Sequence, residues 1–202
     1  MDPDEYKRQL IELRGLIIHC IAYFTAWQNL APDDASLKAI NRYKGLFVPA
    51  QIALLWMAIL QLAKIFDKDP RTISLRILHS EALKNRPVLT PYITIHELHC
   101  IGDKIGKNEE ALKRLKTLRD KRIAHHDADI SDLKSVFLQE ITPLIEDAKF
   151  MHDELSRGHY QNVTAFESIS EQAERDTRQV VQIMREDREK ARRRLKDIGT
   201  TQ

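Results

Sequence analysis

Leu10-Ile11-Glu12-Leu13-Arg14-Gly15-Leu16-Ile17-Ile18-His19-Cys20-Ile21-Ala22-Tyr23-Phe24 is the stretch that decides the fold class. Leu10, Leu13, Ile17, Ile21 and Phe24 recur at spacings of three and four, the interval at which side chains share one face of a helix. The pattern predicts a first helix from about Asp4 to Asn29, broken by Pro32-Asp33-Asp34. Further along the chain no alternating run long enough for a strand occurs, and there is no internal repeat. A second helix is expected over roughly Pro49 to Phe66, with Pro49 in its first turn. It is apolar nearly all round, which suits the centre of a bundle. Asp67-Lys68-Asp69-Pro70 ends it.

The same reading continues to the C-terminus. Thr72 or Ser74 can cap a short helix carrying Leu75 and Leu78, closed by Arg86-Pro87. Thr90-Pro91 reads as the cap and first position of a helix running toward Ile105. Asn108-Glu109-Glu110 opens the next, with acidic residues at the positive end and a stripe of Leu112, Leu115, Leu118 and Ile123. Asp127-Ala128-Asp129 interrupts the pattern. Ser131 can then cap a helix through Val136, Phe137, Ile141, Leu144, Ile145 and Phe150, kinked at Pro143 and stopped at Gly158. From about Thr164 to Ile198 the composition shifts to dense charge, with a thin stripe of Val180, Met184, Ala191, Leu195 and Ile198. The expected architecture is all-α: a helical bundle over residues 1–160 and a charged C-terminal helical extension over 161–202. The extension ends in Arg188, Lys190, Arg192, Arg193, Arg194 and Lys196. It reads as a solvated helix packed along the bundle, a dimer arm, or an RNA-attracting tail.

Composition bounds the function. The 202 residues are 43% hydrophobic and 31% charged, a balance that supports a folded core. The formal net charge of +2 is too small for the whole surface to attract nucleic acid, so attraction must come from local patches. Cys20 and Cys100 make no disulfide framework, and both read as reduced core thiols. The acidic Met1-Asp2-Pro3-Asp4-Glu5 lacks the layout of a secretory signal. The apolar run Val48–Leu62 falls short of the ~20 residues that span a bilayer. A cytoplasmic protein without membrane attachment is the expectation.

Chemistry concentrates in Arg119-Asp120-Lys121-Arg122-Ile123-Ala124-His125-His126. Arg offers a planar fork of donors to a phosphate, and His moves a proton near neutral pH. Those two groups can cleave RNA with neither metal nor cofactor, because RNA carries its own 2′-hydroxyl nucleophile. Asp120 can orient the Arg or the His, and Lys121 and Arg122 are further phosphate ligands. In a straight helix His126 returns to nearly the face of Arg119, whereas His125 lands to one side. Metal chemistry is the competing reading. His96-Glu97-Leu98-His99-Cys100 is one residue short of the zinc-protease spacing. The doublet His126-Asp127 suits an HD-type phosphohydrolase, for which His79 or His99 and Asp147 could be drafted, although nothing in the sequence selects them. There is no Gly-rich phosphate loop and no nucleophile elbow, and no metal or cofactor is expected.

The stretch from Arg119 to His126 resembles the Arg–polar–x–His signature of the HEPN superfamily, small all-helical proteins that include ribonuclease toxins and phage-defence effectors. Leu62-Ala63-Lys64-Ile65-Phe66-Asp67-Lys68, followed by Thr72-Ile73-Ser74-Leu75, is similar to a segment of the AbiU-like abortive-infection branch, and the likeness covers roughly residues 5 to 155. The resemblance implies a bundle of about four principal helices, a homodimer and a composite cleft in which two motifs face each other. It favours His125 over His126, since the related pattern reads Arg-Asp/Asn-Lys-x-x-Ala-His. It implies a metal-independent endoribonuclease of phage defence or toxin–antitoxin control, with RNA as substrate and an antitoxin or nucleotidyltransferase as a further partner. Some HEPN domains are binding modules instead, so a non-catalytic scaffold is the alternative.

Overall fold

The computed structural model describes residues 1–120 and 133–199, with side chains over 1–120 and 138–194. The described chain is all-α. Helices α1 (Pro3–Leu30), α2 (Asp34–Ile40), α3 (Lys44–Ile65), α4 (Leu75–Lys84), α5 (Arg86–Leu89), α6 (Ile95–Lys107), α7 (Glu109–Arg119), α8 (Leu133–Tyr160) and α9 (Phe166–Gly199) follow one another, with a single 3₁₀ turn at Asn41–Tyr43. They divide into two compact units. One comprises Met1–Cys20 with Ala58–Phe166, and the other Ile21–Met57 with Glu167–Gln202.

The core of the first unit grows from the stripe that opened the sequence reading. Tyr6, Leu10, Leu13 and Ile17 on α1 are fully buried. Leu62 and Ile65 of α3, Leu75 and Leu78 of α4, and Leu98 and Ile101 of α6 are equally enclosed. In this unit α4 packs on α6 and α8, and α7 packs on α6 and α8. The Tyr6 hydroxyl donates to the Leu78 carbonyl at 3.3 Å, which gives its one polar atom a partner inside the core. His152, also fully buried, meets the Leu10 carbonyl through Nε2 at 3.2 Å.

Local chemistry explains the helix ends. Ser74 caps α4 by accepting the Ile77 N–H. Arg86-Pro87 opens the short α5, and the start expected at Thr90-Pro91 lies further on: Thr94 caps α6, which begins at Ile95. Thr94 Oγ1 accepts the Glu97 N–H while Glu97 Oε2 accepts the Thr94 N–H at 2.6 Å, a complete capping box. Three residues after Thr90 stands Ile93, which is buried and offers no carboxylate, so Thr90 cannot form the reciprocal pair. The Glu97 carboxyl is held down at about 2 by the Thr94 backbone N–H first and by Arg157 next. Asp33, expected to break a helix, also starts one: its side chain accepts the Ser36 N–H at 2.7 Å and caps α2.

Three further expectations change, at Pro49, at the exposed half of α3 and at Cys100. Helix α3 starts at Lys44, so Pro49 lies inside it and not in its first turn. Its C-terminal half is buried at Ala58, Ile59, Leu62 and Ile65, whereas Leu46, Val48 and Ile52 are exposed, so it is a core helix over half its length. By length and composition, Pro3–Leu30 and Asp34–Ile65 are also long enough to cross a bilayer, unlike the shorter run Val48–Leu62. Cys20 is buried, with its thiol pushed up to about 12 by burial, but Cys100 is exposed.

Gly158 does not stop α8, which runs on to Tyr160 and ends where Gln161 takes a left-handed conformation, φ 55°. Gly158 serves close packing instead. Its carbonyl accepts the Tyr92 N–H at 3.1 Å, and a Cβ there would lie 2.7 Å from the Ile93 side chain. We therefore expect Gly158→Ala to destabilise the fold by about 1–3 kcal/mol through overpacking, measured by denaturant unfolding. A neutral effect would show that Ile93 repacks freely.

The second unit has its own small core, formed by Leu30, Ala39, Ile40, Val181 and Met184, with Ala31, Phe47 and Leu54 against it. Of the stripe expected on α9, Met184 is buried here while Val180 is exposed, because Val181 takes the inward position. The side chains of Leu195 and Ile198 lie outside those described. Arg42 and Tyr43 both meet Asp187 on α9, at 3.0 and 3.3 Å.

Candidate functional site

Helix α7 carries two parallel rows. Leu112, Leu115 and Leu118 point inward, while Glu109, Lys113, Lys116 and Arg119 follow at spacings of three and four along a neighbouring face. The second row meets the end of α3 and the start of α4. Between them opens a cleft of about 210 Å³. Its floor is Ala63, Phe66, Leu112 and Leu115, and its rim carries Lys68, Arg76, Lys113, Lys116 and Arg119 with the carboxylates Asp67 and Glu109.

Arg119 stands at this cleft, 27% exposed, between two carboxylates. Its Nε donates to Asp120 Oδ1 at 2.8 Å, and one Nη lies 3.6 Å from Asp67 Oδ2. Asp67 is itself fixed. Its Oδ1 accepts the Asp69 N–H at 3.0 Å, and its carbonyl accepts the Ser74 hydroxyl at 2.8 Å. The loop between α3 and α4 thus presents Asp67 to Arg119 through bonds from Asp69 and Ser74.

Arg76 holds the frame together. Its Nε donates to the Phe66 carbonyl at 3.0 Å and its Nη2 to Glu109 at 2.7 Å. Lys68 also pairs with Glu109. The two cations, Lys68 foremost, hold the Glu109 carboxyl well below its ordinary value, at about 2. A carboxylate with a lowered folded-state pKa contributes stability above its unfolded value of about 4.5 and loses it as the pH falls toward 2. Near neutral pH this junction is therefore fully charged and intact.

The other expected site residues lie as follows. Lys121, Arg122, His125 and His126 fall outside the described residues, as does Asp127 of the His-Asp doublet. Arg192, Arg193 and Arg194 are exposed on α9 in the second unit. Of the drafted metal ligands His79 and Asp147 are engaged elsewhere, and His99 is exposed. His79 is buried with Nε2 2.8 Å from the Leu98 carbonyl, and burial lowers its pKa. Asp147 accepts from Lys104 at 2.6 Å and from Asn108 at 2.9 Å. In the run from His96 to Cys100, Glu97 serves the capping box and Arg157. No cluster of three or more His, Cys, Asp or Glu placed to hold a metal occurs among the described residues.

The structure thus joins the two stretches singled out in the sequence, Leu62–Leu75 and Arg119-Asp120, at one cleft. The chain also matches the HEPN_AbiU2 family model, AbiU2, over residues 3–180. It belongs to this HEPN abortive-infection family. The match runs past residue 155, where the expected likeness ended, and takes in the first part of α9. No curated protein and no solved structure matches it significantly.

Sequence reading gives Asp67 and Lys68 only a helix end and a place in the family-like segment, and no role to Arg76, Lys113 or Lys116. The signal for the α7 residues was present, since Lys113, Lys116 and Arg119 are spaced by three. Asp67 could be found only with the α3–α4 loop placed against α7. A double-mutant cycle with Asp67→Ala and Arg119→Ala tests that contact in solution. We expect a coupling of about 0.5–1 kcal/mol in denaturant unfolding, the scale of a partly exposed ion pair. Strictly additive effects would show that the two side chains do not meet.

Proposed function

We propose that this HEPN protein is a metal-independent endoribonuclease of a phage-defence or toxin–antitoxin system, acting in the cytoplasm. The observation that carries the reading is Arg119, set between Asp67 and Asp120 at a cation-rimmed cleft in a member of an abortive-infection family. In the reaction the 2′-oxygen attacks the adjacent phosphorus and gives its proton to a base, for which His125 is the first candidate and His126 the second. The P–O5′ bond breaks, and the 5′-oxygen takes up a proton. The products are a 2′,3′-cyclic phosphate and a 5′-hydroxyl, with no redox change and no water consumed. Arg119 stabilises the negative charge that builds on the phosphoryl oxygens. Asp120 and Asp67 orient its guanidinium. Lys121 and Arg122, next in the chain, are further phosphate ligands, and Arg192, Arg193 and Arg194 add long-range attraction to RNA.

RNA cleavage in EDTA is the test, with product ends identified by mass spectrometry. His125→Ala is expected to lower the rate by about 10²–10⁴-fold and leave RNA binding nearly intact. Arg119→Ala should impair both, because Arg contacts phosphate in the ground state and the transition state. His126→Ala is the control, and total loss there would transfer the proton role to His126. Activity abolished by EDTA would remove the metal-free mechanism. Absence of cleavage in every activated or partner-freed form would leave a binding or scaffold protein of a defence module.

The reading includes a homodimer, with an antitoxin or nucleotidyltransferase as a further partner. What supports self-association is the apolar surface of the second unit. Leu46 is 66% exposed, Ile183 59% and Ile52 53%, with Val48 and Val180 also exposed. Tyr43, Phe47 and Met184 line a shallow groove with Leu46 and Ile183. Exposed apolar surface of this kind marks a partner or a membrane. Light scattering at micromolar concentration should give a dimer mass, lowered to a monomer by Leu46→Glu with Ile183→Glu. A monomeric wild type that sediments with liposomes would overturn the dimer in favour of a membrane contact.

A further inference from the structure

We infer that a shallow cleft of the second unit, where Arg42 meets α9, is a seat for a compact, multiply charged phosphate anion of the kind carried by a free nucleoside triphosphate. It is built from residues other than those of the Arg119 cleft. Its link to self-association, argued below, rests on the dimer reading, and the seat itself does not.

The cleft has a volume of about 330 Å³ and is lined by Arg42, Arg188, Ala191 and Arg192. Arg188 and Arg192 stand four residues apart on α9 and so share one face of the helix. Ala191 beside them leaves open the space that a longer side chain would fill. Like charges at this spacing repel each other. A third guanidinium, from the 3₁₀ turn at Asn41–Tyr43, lines the same hollow, and no carboxylate is among its described lining residues. Three cations around one small floor oppose one another when alone. Around a multiply charged anion they act together, because each guanidinium offers paired donors to phosphate oxygens.

Arg42 is already positioned for this. Its Nη1 donates to Asp187 Oδ2 at 3.0 Å, and its guanidinium carbon lies 5.9 Å from the centre of the Tyr43 ring. Its remaining N–H groups are open to a ligand, since a guanidinium carries more donors than one carboxylate oxygen takes up. Neither Arg188 nor Arg192 has an ion-pair partner among the described residues. The three cations enclose one spot, which suits a compact group. Arg193 and Arg194, next along α9, are exposed outside the cleft and suit diffuse attraction to a strand.

Asp187 joins the seat to the apolar groove. Its Oδ2 accepts the Arg42 bond and one from the Tyr43 hydroxyl at 3.3 Å, and Asp187 lines the groove with Leu46 and Ile183. While Arg42 holds it, its charge is matched and the groove can be covered by a second copy. An anion that draws Arg42 away leaves that carboxylate without its cation at the groove's edge, and burying such a charge is costly. Occupancy of the seat therefore opposes the dimer, and by reciprocity the dimer weakens the anion.

Calorimetric titration of the full chain tests the seat, in magnesium-free buffer at physiological salt. The probes are inorganic triphosphate, orthophosphate and a 2′-O-methyl oligonucleotide without a terminal phosphate. Triphosphate should bind about tenfold more tightly than orthophosphate, which meets fewer of the donors at once. Arg42→Ala and Arg188→Ala should each weaken it by about tenfold or more, the loss of charge-assisted hydrogen bonds. Ala191→Leu should weaken it as much by filling the floor without changing any charge. Arg193→Ala, which removes an exposed arginine outside the cleft, should change it by less than about twofold. Circular dichroism checks that each variant is folded. Equal losses from Arg193→Ala and Arg188→Ala, or full binding by Ala191→Leu, would reduce the effect to diffuse attraction and overturn the seat. An oligonucleotide that displaces triphosphate and binds more tightly than it would give the cleft to a strand and overturn the compact-anion assignment. Light scattering with saturating triphosphate reads the link, and the mass should fall from dimer toward monomer. A dimer whose mass does not move would overturn the link. A wild type that is monomeric without triphosphate would remove the dimer reading, and the titration would still decide the seat.

Discussion

The guanidinium of Arg76 is the constraint on which the candidate site depends. One nitrogen donates to the Phe66 carbonyl just past the end of α3, and another to the Glu109 carboxylate at the start of α7. A helix end leaves carbonyls without intrahelical donors, and a helix start favours negative charge. Arg76 serves both from α4 with one rigid plane, which a lysine ammonium cannot reproduce. With the α3 end and the α7 start tied to one side chain, the cleft between them has a defined width. The far end of α7 then brings Arg119 to Asp67. The Lys68 pair with Glu109 adds a second link across the same gap. These contacts are charged and partly exposed, so their contribution to stability is modest while their effect on geometry is large.

How much of this was legible in the sequence depends on the range of the interaction. The α1 face of Leu10, Leu13 and Ile17, the Ser74 cap and the α7 start at Glu109 are encoded within one or two helical turns, and all three stand where periodicity and capping chemistry put them. The Arg119–Asp120 contact is equally local. Asp67, Lys68 and Arg76 stand far from α7 in sequence, and helical periodicity contains no information about that distance. Asp67 and Lys68 were legible as a helix end and as part of a family-like segment, and Arg76 lies just beyond that segment, but neither reading gave them a contact with α7.

The misplaced features have specific causes. Thr90-Pro91 has the two residue types of a helix start, yet Thr94 with Glu97 satisfies two backbone donors where Thr90 can satisfy one. Gly158 looked like a terminator because glycine is common there, but its missing side chain is filled by Ile93. Helix α3 is apolar nearly all round, a pattern that predicts a central position. Apolar character on every side states that a surface has to be covered without saying by what. Ala58 to Ile65 is covered within the first unit, and Leu46, Val48 and Ile52 remain exposed in the second.

The electrostatics of the cleft bear on how a modestly charged protein could act on a polyanion. With a net charge of +2, the molecule as a whole has little long-range attraction for RNA, and screening at physiological salt confines what remains to about a Debye length of ~8 Å. At rest Arg119 faces Asp120 and Asp67, so its charge is already matched by two carboxylates. A phosphate reaching it must displace or share one of them, and the exchange is favourable only if other contacts bind the strand as well. Under the ribonuclease proposal, the exposed Lys113 and Lys116 on the same helix face would provide such contacts. Arg119 would then become available only to a ligand that also fills the cleft, and a stray anion in solution would not meet that condition. If Arg119 serves a substrate as proposed, the same two carboxylates that fix its guanidinium would also set how much binding energy that substrate must bring.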